Sequence, residues 1–160
     1  MIGLVVLAGC SNAPFSLSVP DADFPMVALP TGTFVLFYKE PLAINRPLIV
    51  PKNVAIEGLA EYQQTDLSVD VYGSLNLPLD NCAEIPQSPF LLCDTKSYTK
   101  LTKTPVSFAS SAQQSFRLEG AMLSQALNQS KIWLGAQISA GTPSSGTMFL
   151  KNMTAKVSVL

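Results

Sequence analysis

The chain contains no histidine. That removes Ser-His-Asp and Cys-His nucleophilic sites and nearly every zinc centre, all of which need an imidazole. Charge is scarce too. Asp, Glu, Lys and Arg make up 13% of the residues, against about 25% in ordinary soluble domains. The net charge is −1. A protein that holds nucleic acid needs a basic face, so nucleic acid is excluded as a partner. The same balance supplies no net pull towards anionic lipid. No apolar run approaches the ~18 residues of a membrane-spanning helix. No Lys or Arg precedes Lys39, so the basic region that opens a secretory signal is missing.

What is present is apolar and uncharged. Apolar residues reach 48%, so the surface must be rich in Ser, Thr, Asn and Gln, with some apolar area showing. Such surfaces suit permanent contacts. A chain of 160 residues is enough for one domain with its own core.

Ile2 to Ala8 is an apolar run that ends in Leu7-Ala8-Gly9-Cys10. That tetrapeptide resembles the lipobox of bacterial lipoproteins. The resemblance implies that a diacylglyceryl group is attached to Cys10 and that the chain is cut just before it. It places the protein in the bacterial cell envelope, held to a membrane by the lipid. Ser11 after the cysteine implies the outer rather than the inner membrane. On this reading residues 1–9 are a signal peptide lacking its N-terminal part, through a start placed too far downstream or through trimming. Residues 10–30 are the lipidated cysteine and a tether, and residues 31–160 are the folded domain. The alternative is a short buried N-terminal strand that carries the tetrapeptide by chance. The resemblance covers residues 1–10 and is silent on the domain.

Cys82 and Cys93 remain once Cys10 is assigned to the lipid. In an exported protein an even pair reads as a disulfide. Closing a loop of this size stabilises a fold by about 3 kcal/mol in the chain-entropy account. Two free buried thiols are the alternative. A metal site is poorer, because no histidine and no third sulfur is at hand.

The period of the apolar residues predicts strands. Pro14, Pro20, Pro25 and Pro30 favour an extended tether, although Phe15, Leu17 and Val19 alternate as an edge strand would. Thr33–Tyr38 is β-branched and aromatic on both faces, which suggests burial on two sides. Shorter candidates are Pro47–Val50 and Val54–Glu57. Over Asp66–Leu77, Leu67, Val69, Val71, Leu75 and Leu77 take one face with Gly73. Asp66, Asp70 and Tyr72 take the other, which reads as wet. Gly73 on the dry face suggests a bulge or a close approach of another backbone. Pro78–Lys103 reads as a long connection with at most one short strand. Val106–Ala109 and Ser115–Glu119 read as strands. Met122, Leu123, Ala126 and Leu127 share a helical face, which predicts a short helix across one end.

Lys131–Ser139 alternates again, with Ile132, Leu134, Ala136 and Ile138 inward and Trp133 and Gln137 outward. Residues 141–146 form a turn by composition. In the last strand the apolar positions move from even (Met148, Leu150) to odd (Met153, Ala155, Val157, Val159) at Asn152. A β-bulge there keeps both sets in the core. The expected fold is all-β, an antiparallel β-sandwich of seven to nine strands with at most one short helix.

Candidate chemistry is thin. Ser97-Tyr98-Thr99-Lys100 has the Ser-x-x-Lys spacing of penicillin-binding enzymes. There the motif opens a helix and has two partner motifs; here Lys103-Thr104 is followed by Pro105 rather than Gly. Asp80, Asn81 and Asp94 flank the cysteines and form the best calcium candidate, since calcium takes several hard oxygens in a flexible loop. Turn residues capping their own backbone are the favoured explanation, since no EF-hand-like spacing is present. Trp133 and Tyr72, if exposed on a sheet face, could stack on sugars or anchor a protein. A second layer covering them is the alternative. The glycosylation sequons at Asn128 and Asn152 carry little meaning in a bacterial lipoprotein.

The expectation is a non-catalytic envelope lipoprotein without cofactor or metal. It binds an envelope protein, or further copies of itself, through a sheet face or an edge strand. The alternative is a ligand-binding sandwich for an apolar molecule or a glycan.

Overall fold

A computed structural model describes residues 15–27, 32–49 and 51–158. Cys10, its lipobox and Val159 lie outside the described residues. In chain order the strands are β1 (Phe15–Ser18), β2 (Ala22–Met26), β3 (Phe34–Tyr38), β4 (Leu42–Ala43), β5 (Asn53–Glu61), β6 (Leu67–Ser74) and β7 (Cys82–Glu84). They continue with β8 (Phe90–Asp94), β9 (Thr99–Lys100), β10 (Val106–Ser107), β11 (Gln113–Glu119), β12 (Lys131–Gly141) and β13 (Gly146–Ser158). A helix, α1 (Met122–Gln129), separates β11 from β12, and a 3-10 turn covers Thr95–Ser97.

The strands form two antiparallel sheets. The smaller runs β1-β13-β5-β11, with β2 on β13 as well. The larger runs β10-β6-β12-β3-β8-β7, with β4 on β12 and β9 on β6. Their inner faces meet in one core. The smaller sheet contributes Val54, Ile56, Ala60, Phe116, Leu118, Met153, Ala155 and Val157. The larger contributes Leu67, Val69, Val71, Ile132, Leu134, Ala136 and Ile138. Each large aliphatic side chain removed from water here stabilises the fold by about 1.5–3 kcal/mol, before entropy is counted.

Several expectations hold for a physical reason. The inward set of β12 is the one its alternation predicts. Leu123, Ala126 and Leu127 of α1 are buried and close one end of the sandwich. In β13 the register slips between Lys151 and Thr154, and Asn152 has a φ of 52°. Two residues, Asn152 and Met153, therefore face one, Gly58, on β5. A Cβ on Gly58 would meet Met153 Cγ at 2.9 Å and Lys151 O at 3.0 Å, so only glycine fits under the bulge.

Others are corrected. Residues 15–18 and 22–26 are not tether: both segments pair with β13. Alternation at Phe15 and Leu17 outweighed the prolines because Pro20 and Pro25 sit between strands or on an edge, where a missing N–H costs little. Pro47–Ile49 forms no strand, whereas β5 extends from Asn53 to Glu61. The connection over residues 78–103 holds three strands and the 3-10 turn rather than one strand. Their brevity hides them from any pattern of period two.

Candidate functional site

Trp133 and Tyr72 do not form an open platform. Each is 8% exposed and packs with Val35, Phe37, Leu91 and Cys93 on the outer face of the larger sheet. Tyr98, just past the 3-10 turn, closes this second cluster, its ring 4.8 Å from that of Phe37. Trp133 Nε1 donates to the Lys39 carbonyl at 3.0 Å. The Tyr72 hydroxyl donates to Gln137 Oε1 at 3.0 Å. Burial pushes the phenols of Tyr72 and Tyr98 above the ordinary value of 10.0, so both stay protonated donors at neutral pH. The segment read as a loose connection adds strands to this sheet, and its Cys82 and Tyr98 pack against the cluster. A disulfide joins Cys82 to Cys93, with Cα atoms 4.0 Å apart, and ties the edge strand β7 to β8 within the same cluster.

The calcium trio is brought together, and the side chains of Asn81 and Asp94 are engaged in local hydrogen bonds. Asp94 N–H donates to the Asn81 carbonyl at 3.0 Å, which sets the two turns side by side. The Asp94 carboxylate accepts from Lys96 N–H at 2.9 Å and caps the 3-10 turn. Asn81 Nδ2 donates to Ser97 Oγ at 2.7 Å, and the Asp80 carbonyl accepts from the Tyr98 hydroxyl at 2.8 Å. These residues hold their own backbone. Among the described residues, no three His, Cys, Asp or Glu side chains converge as a metal site would require.

Ser97 and Lys100 are likewise committed to structure. Lys100 Nζ lies 3.1 Å from Asp70 Oδ2. Asp70 is 3% exposed rather than wet, and its Oδ1 accepts from the Thr102 hydroxyl at 2.8 Å. The Thr102 oxygen in turn accepts from Val71 N–H at 3.1 Å. Between β9 and β10 the chain loops away from β6, and this hydroxyl fills the missing rung of the ladder.

The feature that sequence reading missed lies on the outer face of the smaller sheet. Arg117 on β11 stands opposite Glu57 on β5 and pairs with it and with Glu119. Lys156 of β13 reaches Glu57 at 2.5 Å, and Lys103 reaches Glu119 at 2.6 Å. The result is an alternating row, Lys156-Glu57-Arg117-Glu119-Lys103, across three strands and a loop. It lines an open groove of about 810 Å³ between this face and the loop 103–106. Lys156 is the leading cause that holds the Glu57 carboxyl below 4.5, and Lys103 plays that part for Glu119.

One wall of the groove is the strand β11, which among the described residues has a partner strand on one side only, β5. Its last free-side donor, Glu119 N–H, is taken by the Leu101 carbonyl at 2.8 Å. Ser115 and Arg117 turn their backbone groups to the same open side. The alternation Ser115, Arg117, Glu119 was visible in the sequence. The match of Arg117 with Glu57, sixty residues away, needed the register.

A second hollow of about 300 Å³ opens between β2 and β4, lined by Phe24, Tyr38, Leu42, Leu134 and Leu150 with Asp21, Asp23 and Glu40 at its walls. It reaches core residues of both sheets. In comparisons with known proteins, the chain matches no family model, no curated protein and no solved structure.

Proposed function

We propose that the protein is a non-catalytic, lipid-anchored component of the bacterial cell envelope, an accessory subunit that binds another envelope protein along the free edge of β11. The observation that carries this is the free edge of β11, where among the described residues Ser115 and Arg117 turn their backbone groups to no partner strand, beside a groove lined by charges of both signs. A partner's strand laid on that edge gains main-chain hydrogen bonds, and the groove reads its side chains. Natural sheets usually blunt a free edge; here the loop 103–106 flanks it without pairing beyond Glu119. The lipobox resemblance supplies the location.

The test is a native pull-down from gently solubilised membranes with the tag after Leu160, read by mass spectrometry. A stoichiometric protein partner is expected. Ser115→Pro, which removes one outward N–H at an edge position, should lose that partner while the fold and its melting temperature are retained. Recovery of the protein alone, or partner binding that survives Ser115→Pro, overturns the reading.

The second reading is a small apolar ligand in the hollow between β2 and β4. Its volume, about 300 Å³, is at the small end of ligand pockets, which run from about 300 to 1,000 Å³. Native mass spectrometry that shows no co-purified small molecule removes it.

A further inference from the structure

The end of the sandwich at which β1 begins carries a feature that neither the groove nor the hollow uses. Residues 45–49, 51 and 52 lie there. Leu48 is fully exposed and Ile49 is 56% exposed, while Pro47 and Pro51 on either side are buried. The feet of this loop are tied down. Ile44 N–H donates to the Ser130 carbonyl at 3.0 Å and Lys52 N–H to the Ser158 carbonyl at 3.1 Å. Ser124 Oγ of α1 donates to the Lys52 carbonyl at 2.9 Å. Two large aliphatic side chains are thus held in water by an anchored loop, at a standing hydrophobic cost.

Three observations fix what they face. First, Arg46 and Lys52 flank the apolar tip, and Lys131 opens β12 at the same end. The segments 41–56 and 120–131 that build this end hold these three cations and no carboxylate, all eleven acidic residues lying elsewhere in the chain. The molecule is therefore polarised although its net charge is −1, and the inference from net charge alone, that nothing draws it to anionic lipid, does not hold locally. Second, a hollow of about 470 Å³ beside the loop is lined by Lys52 together with Arg117 and Lys156; the latter two are paired with Glu57 and Glu119, so Lys52 is the cation it offers to an anion. Third, the chain enters the fold here. Phe15 pairs with Val157, which pairs with Val54. Phe15 and the foot of the loop are thus two strand spacings apart, about 10 Å. Cys10 is five residues before Phe15, a reach of at most about 18 Å.

We infer that this end of the sandwich rests on an anionic lipid surface, with Leu48 and Ile49 seated among the acyl chains and Arg46, Lys52 and Lys131 on the headgroup phosphates. This deepens the envelope reading and rests on it: a lipid on Cys10 would bring this same end to the bilayer. A diacylglyceryl anchor holds a chain to a bilayer without orienting its domain, and a basic apolar patch adds a contact that does orient it. The occupant is a bilayer, not a protein, because cations beside a small fully exposed aliphatic tip match an interface in which phosphate overlies hydrocarbon.

The experiment uses the full chain carrying Cys10→Ser, so that no lipid contributes. Binding is measured by flotation with vesicles of phosphatidylcholine containing one-third phosphatidylglycerol, and with phosphatidylcholine alone. Leu48→Ser with Ile49→Ser should weaken partitioning about tenfold, and Arg46→Gln with Lys52→Gln by a similar factor on the anionic vesicles only. Since the apolar run before Cys10 is common to all these proteins, a local readout is added. A Leu48→Trp protein should show a blue-shifted emission on anionic vesicles and quenching by brominated acyl chains. All four positions are at the surface, and unchanged melting temperatures confirm folding.

A silent Trp at position 48, or loop variants that bind as the parent does, overturns the inference. Loss of a co-purifying protein with vesicle binding unchanged does so too, in favour of a protein occupant. The mass of the native N-terminus tests the other reading separately. An unmodified Cys10 with a responsive Trp at 48 sinks the lipoprotein reading alone; a diacylated Cys10 with a silent Trp sinks the docking alone.

Discussion

At the scale of single residues, glycines and one hydroxyl show how tightly the two layers are set. A Cβ on Gly135 would sit 2.7 Å from Val35 Cγ2 and 2.9 Å from Phe37 Cγ, a stiff branched side chain and a ring locked under Tyr98. A Cβ on Gly73 would meet Leu101 Cδ1 at 2.8 Å and Met122 Sδ at 3.1 Å, both ends of flexible side chains. Gly135→Ala should therefore cost about 2–3 kcal/mol and Gly73→Ala about 1 kcal/mol, read as shifts in urea midpoint. The reverse order would mean that the second cluster is loose. Thr102→Val keeps the shape but leaves Val71 N–H and one Asp70 oxygen without partners. A loss of about 2 kcal/mol is expected by the same measurement; a neutral outcome would show that water takes the place of the hydroxyl. At Gly73 the sequence pointed to a bulge or another backbone, whereas the side chains of Leu101, Met122 and Ile132 fill the space. The fit at Gly135 was not legible in the sequence, because it depends on β3 lying beside it.

At the scale of elements, the bulge in β13 decides whether the last strand faces the core. Deleting Asn152 removes the extra residue and turns Met153, Ala155 and Val157 outward, or else slides the whole strand. Their three side chains are almost wholly buried, so the deletion should abolish cooperative folding. Asn152→Gly, which suits a φ of 52°, should cost under about 0.5 kcal/mol. Circular dichroism and thermal melts distinguish the two; a deletion variant that folds like the parent removes the bulge from the account. The phase change that reveals this bulge is written in the sequence, as is α1. The strands β7, β9 and β10 are not. They have two or three residues each, too few for any period to show, and their positions are set by the ladder they complete.

At the scale of the whole molecule, charge is sorted where the composition showed only scarcity. One outer face carries the alternating row, and the segments 41–56 and 120–131 at one end carry Arg46, Lys52 and Lys131 with no carboxylate of their own. The carboxyls of Glu57 and Glu119 are both held below 4.5, by Lys156 and Lys103 first and by Arg117 in addition. A carboxylate whose folded pKa is depressed adds stability above its unfolded value and loses it as pH falls through the folded one. Stability should thus be flat near neutral pH and fall below about pH 4.5. These groups face solvent, so the effect is modest and shrinks in high salt. In Glu57→Gln with Glu119→Gln the acid-side fall should be shallower. Parallel profiles of urea midpoint against pH for parent and variant would show that the row contributes nothing to folding and leave it to recognition.

The sequence by itself determined what a single strand or helix can express: the all-β class, the inward set of each long strand, the short helix, the phase slip at Asn152 and the even pair Cys82 and Cys93. Each is a local period or a local count, and local periods survive whatever the chain packs against. The tertiary structure alone decided whether an outward residue meets water. Trp133, Tyr72 and Asp70 point away from the main core as their alternation says, yet they are buried, because Trp133 and Tyr72 join a second cluster with side chains of β3 and β8 and with Tyr98, while Lys100 and Thr102 take the Asp70 carboxylate. It alone joined Arg117 to Glu57 and set Arg46, Lys52 and Lys131 at the end where β1 begins. Register between distant strands places those charges, and register follows from burying both sheets at once, a condition that no single segment contains.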